Sequence, residues 1–182
     1  AGPEQPKTYL LCSPHNPTGA VHTEAELTAV MALAARFGVR VVVDEIHACL
    51  VDPGTTFVPL LTVPGGEQAI SVTSAGKAWN LAGFKAGLIV AGAAVTGVLA
   101  DLPPLAQQSS GHLANLVHTA AITDAQDWID QLVAEIADNK ALLASELARL
   151  VPAAGYIPAE GTYLAWVDCS NLGLANPAHD FL

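Results

Sequence analysis

Between Tyr9 and Val43 the chain spells out a strand, a helix and a second strand with little linker between them. Tyr9-Leu-Leu-Cys12 is a short apolar run. Thr23 and Glu26 then stand in the Ser/Thr-x-x-Glu spacing of a capping box, where each side chain satisfies a backbone N–H at a helix start. Leu27, Val30, Met31 and Ala34 recur at helical spacing. Gly38 offers the left-handed backbone that ends helices. Val39 to Val43 is β-branched except at Arg40, as a strand covered on both faces would be. A helical crossover between two neighbouring strands makes them parallel. This unit predicts an α/β fold.

The rest of the chain extends that pattern. Pro53 to Gly66 reads as loop, Ala69 to Thr73 as a third strand and Gly87 to Ala91 as a fourth. Ala93 to Leu102 predicts a short helix stopped by Pro103-Pro104, and His112 to Ile122 a further one. From about Ala125 to Leu150, residues Ile129, Leu132, Val133, Ile136, Lys140, Leu143 and Leu147 keep one helix face mostly apolar. Gly155-Tyr-Ile and Thr162 to Val167 read as strands of a second, smaller unit.

Composition narrows the function. Hydrophobic residues make up 52% of the chain and mean hydropathy is +0.41. The longest apolar run near the middle, Ala86 to Ala100, contains several Gly and Ala and falls short of the roughly 18 residues a membrane span requires. The apolar excess is therefore expected to be buried in an oligomer or against further chain. Seven Lys and Arg against 17 Asp and Glu give a net charge of −10, which repels nucleic acid and anionic membranes. Cys12, Cys49 and Cys169 show neither metal spacing nor a disulfide framework, and no signal-peptide pattern is visible, so a cytoplasmic protein without a metal site is expected.

In an open parallel sheet, ligands bind beyond the carboxyl ends of the strands. Three strand ends here carry unusual polar residues. The first runs into Ser13-Pro-His-Asn-Pro-Thr-Gly19, where two prolines and a glycine restrict the backbone around Asn16. The second runs into Asp44-Glu-Ile-His47, the third into Ser74-Ala-Gly-Lys77. Parallel strands would bring these groups to one crevice. Lys77 is the sole charged side chain between Glu67 and Lys85. Such a lysine is either solvated on a turn or desolvated, and then available as a base or Schiff-base nucleophile. Asp44 and Ser74 equally suit turn caps, and His47 suits a half-buried structural position.

The order of these segments resembles the pyridoxal-phosphate (PLP) enzymes of fold type I, within them the cystathionine β-lyase (C–S lyase) branch of the class I/II aminotransferase group. Leu11 to Gly19, Val43-Asp-Glu-Ile-His47 and Ser74-Ala-Gly-Lys-Ala-Trp-Asn-Leu-Ala-Gly83 are similar to its signatures, in that order. Asp127 to Leu132 and Pro158 to Asp168 resemble later ones. Many plain aminotransferases carry tyrosine at the position of His47. The resemblance implies the type I large domain, a mostly parallel sheet with flanking helices, over residues 1–127. It implies a linking helix and the start of a small α+β domain over 128–182. Lys77 would hold PLP as an internal aldimine and then take the substrate Cα proton. Asp44 would pair with the pyridine nitrogen, and Asn16 with the ring 3-oxygen near His47. Ser74 would donate to the phosphate. Lys85 stands where many relatives carry a phosphate-binding arginine, and lacks the bidentate fork.

What the resemblance implies chemically is β-elimination from cystathionine or a related cysteine S-conjugate, giving a thiol, pyruvate and ammonia. An aminotransferase of the same fold would use the same residues. A regulatory or binding protein that keeps the fold is a third reading, since some members of the branch act on transcriptional regulators. Members are generally homodimers. The upstream phosphate loop, the ring-stacking aromatic and the downstream carboxylate-binding arginine of relatives find no counterpart here. The chain is thus expected to be an internal piece of an enzyme, inactive alone.

Overall fold

A computed structural model describes residues 6–108 and 110–176. The capping box forms as the sequence predicts. Glu26 N–H donates to Thr23 Oγ1 at 3.3 Å, and Thr23 N–H donates to Glu26 Oε2 at 2.8 Å. Glu24 and Glu26 add negative charge to the first turn of helix α1 (Glu24–Phe37), where the helix dipole favours it. Gly38 closes the helix at φ 63°, its N–H donating to the carbonyls of Ala34 and Ala35. A side chain there would strain the left-handed backbone.

Strands β1 (Thr8–Cys12), β2 (Arg40–Asp44), β3 (Ile70–Thr73) and β4 (Leu88–Ala91) form one sheet in the order β1-β2-β3-β4. β1, β2 and β3 run parallel, with Cys12 opposite Asp44 and Asp44 opposite Val72. β4 returns antiparallel to β3, pairing Thr73 with Leu88. Helix α1 lays Leu27, Met31 and Ala34 onto Leu11, Val41 and Val43 of the sheet, and Leu60, Val63 and Ala69 complete this core. The opposite face is open: Leu10 is 76% exposed. The β2–β3 crossover contains no α-helix, only two 3₁₀ turns at Leu60–Thr62 and Gly66–Gln68. Its anchor is the buried Glu45 carboxylate, which accepts from Leu60 N–H at 2.8 Å and from Ser71 Oγ at 2.6 Å.

Three further helices follow: α2 (Pro104–Gln108), α3 (His112–Asp124) and α4 (Gln126–Leu150). Ile129 of α4 packs against Leu50 and Ala78, with Trp79, Leu132, Val133 and Ile136 around them. Two indoles fasten this contact. Trp79 Nε1–H donates to Ala125 O and Trp128 Nε1–H to Ala78 O, each at 3.1 Å. β5 (Gly155–Tyr156) and β6 (Val167–Asp168) form a small antiparallel sheet.

Two elements differ from expectation. Ala93 to Leu102 is not an α-helix but 3₁₀ structure over Thr96–Asp101, a run containing Gly97, which weakens an α-helix. The strand expected from Thr162 contracts to Val167–Asp168, because Thr162 takes φ 62° and leaves the extended region. Among the described residues, no helix is long and apolar enough to cross a membrane.

Candidate active site

The parallel direction of β1, β2 and β3 puts their carboxyl ends on one edge of the sheet. Beyond β1 the chain folds into a tight loop. Ser13 N–H donates to Asp44 O at 3.0 Å, His15 N–H to Ala20 O at 2.8 Å, and Gly19 N–H to His15 O at 2.7 Å. Asn16 N–H donates to the Cys12 thiol sulfur at 3.4 Å. The bonds preceding Pro14 and Pro17 are cis. Gly19 adopts φ 71°, and a Cβ there would stand 2.5 Å from Gly161 O, so no other residue fits without moving the loop. Asn16 is thereby held on a fixed turn with its side chain exposed.

Asp44 ends β2, and its Oδ1 accepts from Ile46 N–H at 3.0 Å, so it does cap the turn that follows. That turn buries His47, which is 2% exposed. The His47 ring meets Tyr163 edge-on at 5.7 Å between centroids. Its Nδ1 is buried without a hydrogen-bond partner among the described residues. Burial holds the imidazole below its ordinary pKa, the Lys77 ammonium lowers it further, and the Asp44 carboxylate opposes both. His47 therefore lies within electrostatic reach of both Lys77 and Asp44.

Lys77 occupies the connection between β3 and β4. Trp79 N–H donates to Ala75 O at 3.1 Å and Leu81 N–H to Gly76 O at 2.9 Å, coiling the chain beneath it. Ala75 and Ala78 point into the protein, while Lys77 is exposed on the turn. The solvated reading of this lysine is the one realised. Ser74 Oγ donates to Ala86 O at 2.7 Å and accepts from Gly76 N–H at 2.9 Å, so its hydroxyl already bridges the two ends of the connection. Lys85 is exposed at φ 57°, just after a 3₁₀ turn at Ala82–Phe84. Beside Ser74 lies a cleft of about 390 Å³ lined by Ala86, Leu88, Asn115, His118 and Ile122.

The donor set fits a charged aromatic cofactor: the Asp44 carboxylate and the exposed Lys77 amine both act electrostatically on His47, whose buried Nδ1 has no hydrogen-bond partner among the described residues. Two tertiary contacts around these segments were not announced by the sequence. Tyr163 reaches His47 across more than a hundred residues of chain, and no local pattern announces that contact. Lys140 reads as one member of an apolar helix face, yet it is buried and paired with Asp52 at 2.6 Å.

Comparison with known proteins places the sequence and the fold among relatives. A Mycobacterium leprae protein that carries the provisional name cystathionine beta-lyase is 46% identical over 173 residues, covering 95% of this chain and 43% of its own length. The cystathionine beta-lyase of Corynebacterium glutamicum is 31% identical over 163 residues, covering 88% of this chain and 44% of its own. The crystal structure of the PLP-bound C–S lyase from Staphylococcus hominis superposes with a TM-score of 0.81 at 28% identity, over 90% of this chain and 42% of that one. The chain thus spans less than half the length of these relatives. The profile of aminotransferase class I and II matches residues 2–181, and with nearly every residue inside that match, the chain belongs to the aminotransferase class I and II family.

Proposed function

We propose that this chain is part of a PLP-dependent C–S β-lyase. Its substrate would be cystathionine or a related cysteine S-conjugate, cleaved with water to a thiol, pyruvate and ammonia. The observation that carries the reading is that the Lys77 and Asp44 charges both act on the buried His47 ring, whose Nδ1 has no partner among the described residues, beyond the carboxyl ends of three parallel strands. The names of the Mycobacterium and Corynebacterium relatives support the choice of lyase.

When bound, PLP supplies an electron sink for the charge that develops at the substrate α-carbon. The chain supplies the rest. Lys77 would hold the cofactor and, once released, take the α-proton at Nζ. Asp44 would hold a proton at the ring nitrogen by its charge. Asn16, on its fixed turn, would donate to the ring oxygen, and His47 would stand near the same oxygen. Ser74 and Lys85 would serve the phosphate. Because Ser74 already donates to Ala86 O, a phosphate there competes for its proton. Residues 1–127 would belong to the large cofactor domain and 128–182 to the linking helix and small domain. The whole protein would be a cytoplasmic homodimer, and an amino acid its substrate.

The test begins with the 182-residue chain, PLP and borohydride. A single pyridoxyl adduct is expected by mass spectrometry, and Lys77→Ala should abolish it. Adducts scattered over the other lysines would sink the assignment of Lys77. For the reaction itself, the full-length parent is expected to release pyruvate from cystathionine without a keto-acid acceptor. Release that depends on an acceptor would make the protein an aminotransferase instead. If partner binding survived Lys77→Ala while turnover was lost, a regulatory role would be separable from catalysis.

A further inference from the structure

The buried lysine of this chain is not Lys77 but Lys140, which is 6% exposed on α4. Its Nζ donates to Asp52 Oδ1 at 2.6 Å and to Ala159 O at 2.7 Å, with Gly161 O at 3.5 Å. The three ammonium protons thus meet three acceptors. A buried charge so matched is costly to unpair. What it grips are two segments far apart in sequence: the one after β2 and the one before β6. They are also joined directly. Asp52 N–H donates to Glu160 O at 2.8 Å and Thr162 N–H to Leu50 O at 2.7 Å.

Both ends of the gripped segment touch the candidate site. On one side Gly161 N–H donates to Gly19 O at 2.8 Å, and Ala159 and Gly161 crowd Gly19 so closely that no Cβ fits there. Gly19 closes the loop that carries Asn16. On the other side Tyr163 sets its ring against His47. We infer that the Lys140–Asp52 pair is a positioning device, which fixes residues 159–163 and thereby sets where Asn16 and His47 stand relative to Lys77. The inference rests on the roles proposed above for Asn16 and His47.

The test uses the 182-residue chain and its Asp52→Asn and Lys140→Met variants. The first readout needs no cofactor: proton NMR titration of the His47 imidazole, assigned with His47→Gln. Lys77, Asp44 and Tyr163 face that ring. Both variants are expected to raise the His47 midpoint toward the ordinary imidazole value of about 6.5, as Tyr163 withdraws and water reaches the ring. The second readout is pyridoxyl labelling of Lys77, expected to fall in both variants. Thr23→Ala, which weakens α1 without touching the site, should move neither. An unchanged His47 midpoint in folded Asp52→Asn overturns the inference. Should Lys140→Met fail to fold, Asp52→Asn decides, since it keeps the side-chain shape and the ammonium. If the unaltered chain takes no adduct on Lys77, this piece does not form the cofactor site by itself and the proposed function is judged on the longer parent, while the His47 titration still judges the positioning role.

Discussion

At the scale of single residues, His47 makes stability depend on pH in a definite direction. Burial holds its folded-state pKa below the ordinary value of about 6.5. The unfolded chain therefore binds a proton that the folded chain refuses. Stability from this residue is complete above about pH 6.5 and is lost as pH falls toward and through the folded value. Urea unfolding at about pH 7.5 and about pH 5.5 should show the loss, and His47→Gln should flatten that part of the profile. An undiminished slope in the variant would place the effect elsewhere. Gly19→Ala attacks the neighbouring loop. Its methyl would meet Gly161 O at 2.5 Å on a backbone already at φ 71°, so the Asn16 turn must shift, and pyridoxyl labelling of Lys77 should fall. Full labelling would show that the loop position does not matter. That Asn16, Asp44 and Lys77 lie at or beyond the carboxyl ends of β1, β2 and β3 was legible in the sequence, because the hydrophobic pattern fixes where those strands end. Tyr163 and Lys140 were not, because they act through contacts that only the closed tertiary structure creates.

At the scale of elements, local signals and tertiary contacts divide the chain between them. The helix α1 was legible to its caps, since Thr23, Glu26 and Gly38 act within a turn of their own position. Thr23→Ala should cost about 1 kcal/mol in urea unfolding, the usual worth of an N-cap. A neutral result would mean that packing of Leu27 and Met31 alone fixes the helix start. Helix α4 was legible from its apolar stripe, but its partner surface was not. Ile129 sits between Leu50 and Ala78, bridging the segment after β2 to the Lys77 turn. Ile129→Ala should cost about 2–5 kcal/mol, the range for emptying a buried site. A cost below 1 kcal/mol would mean the site collapses to fill the void. The extent of β6 and the 3₁₀ form of the run at Thr96–Asp101 escaped sequence reading for one reason, although β5 was read where it lies. Elements of a few residues have too little periodicity to declare themselves, and distant chain decides their shape.

At the scale of the whole molecule, two forces oppose each other. The chain carries a net charge of −10, which keeps copies apart. It also leaves large apolar side chains in water: Leu10 on the open sheet face, and Leu88 and Ile89 on β4. The open face is a consequence of the topology, because α1 and the crossover segment cover the other side only. Charge repulsion reaches over roughly 20 Å at about 20 mM salt but only a few ångströms at about 500 mM. Apolar attraction does not weaken with sodium chloride in this way. The purified chain should therefore sediment with an average mass that grows as salt is raised across that range, and Leu10→Ser should reduce the growth. A sharp dimer would locate a defined interface, whereas a broad series of larger species would mark nonspecific contact between open faces. A single monomeric species at high salt would show that these side chains are too scattered to bind one another, and the proposed homodimer would then have to be built from other surface.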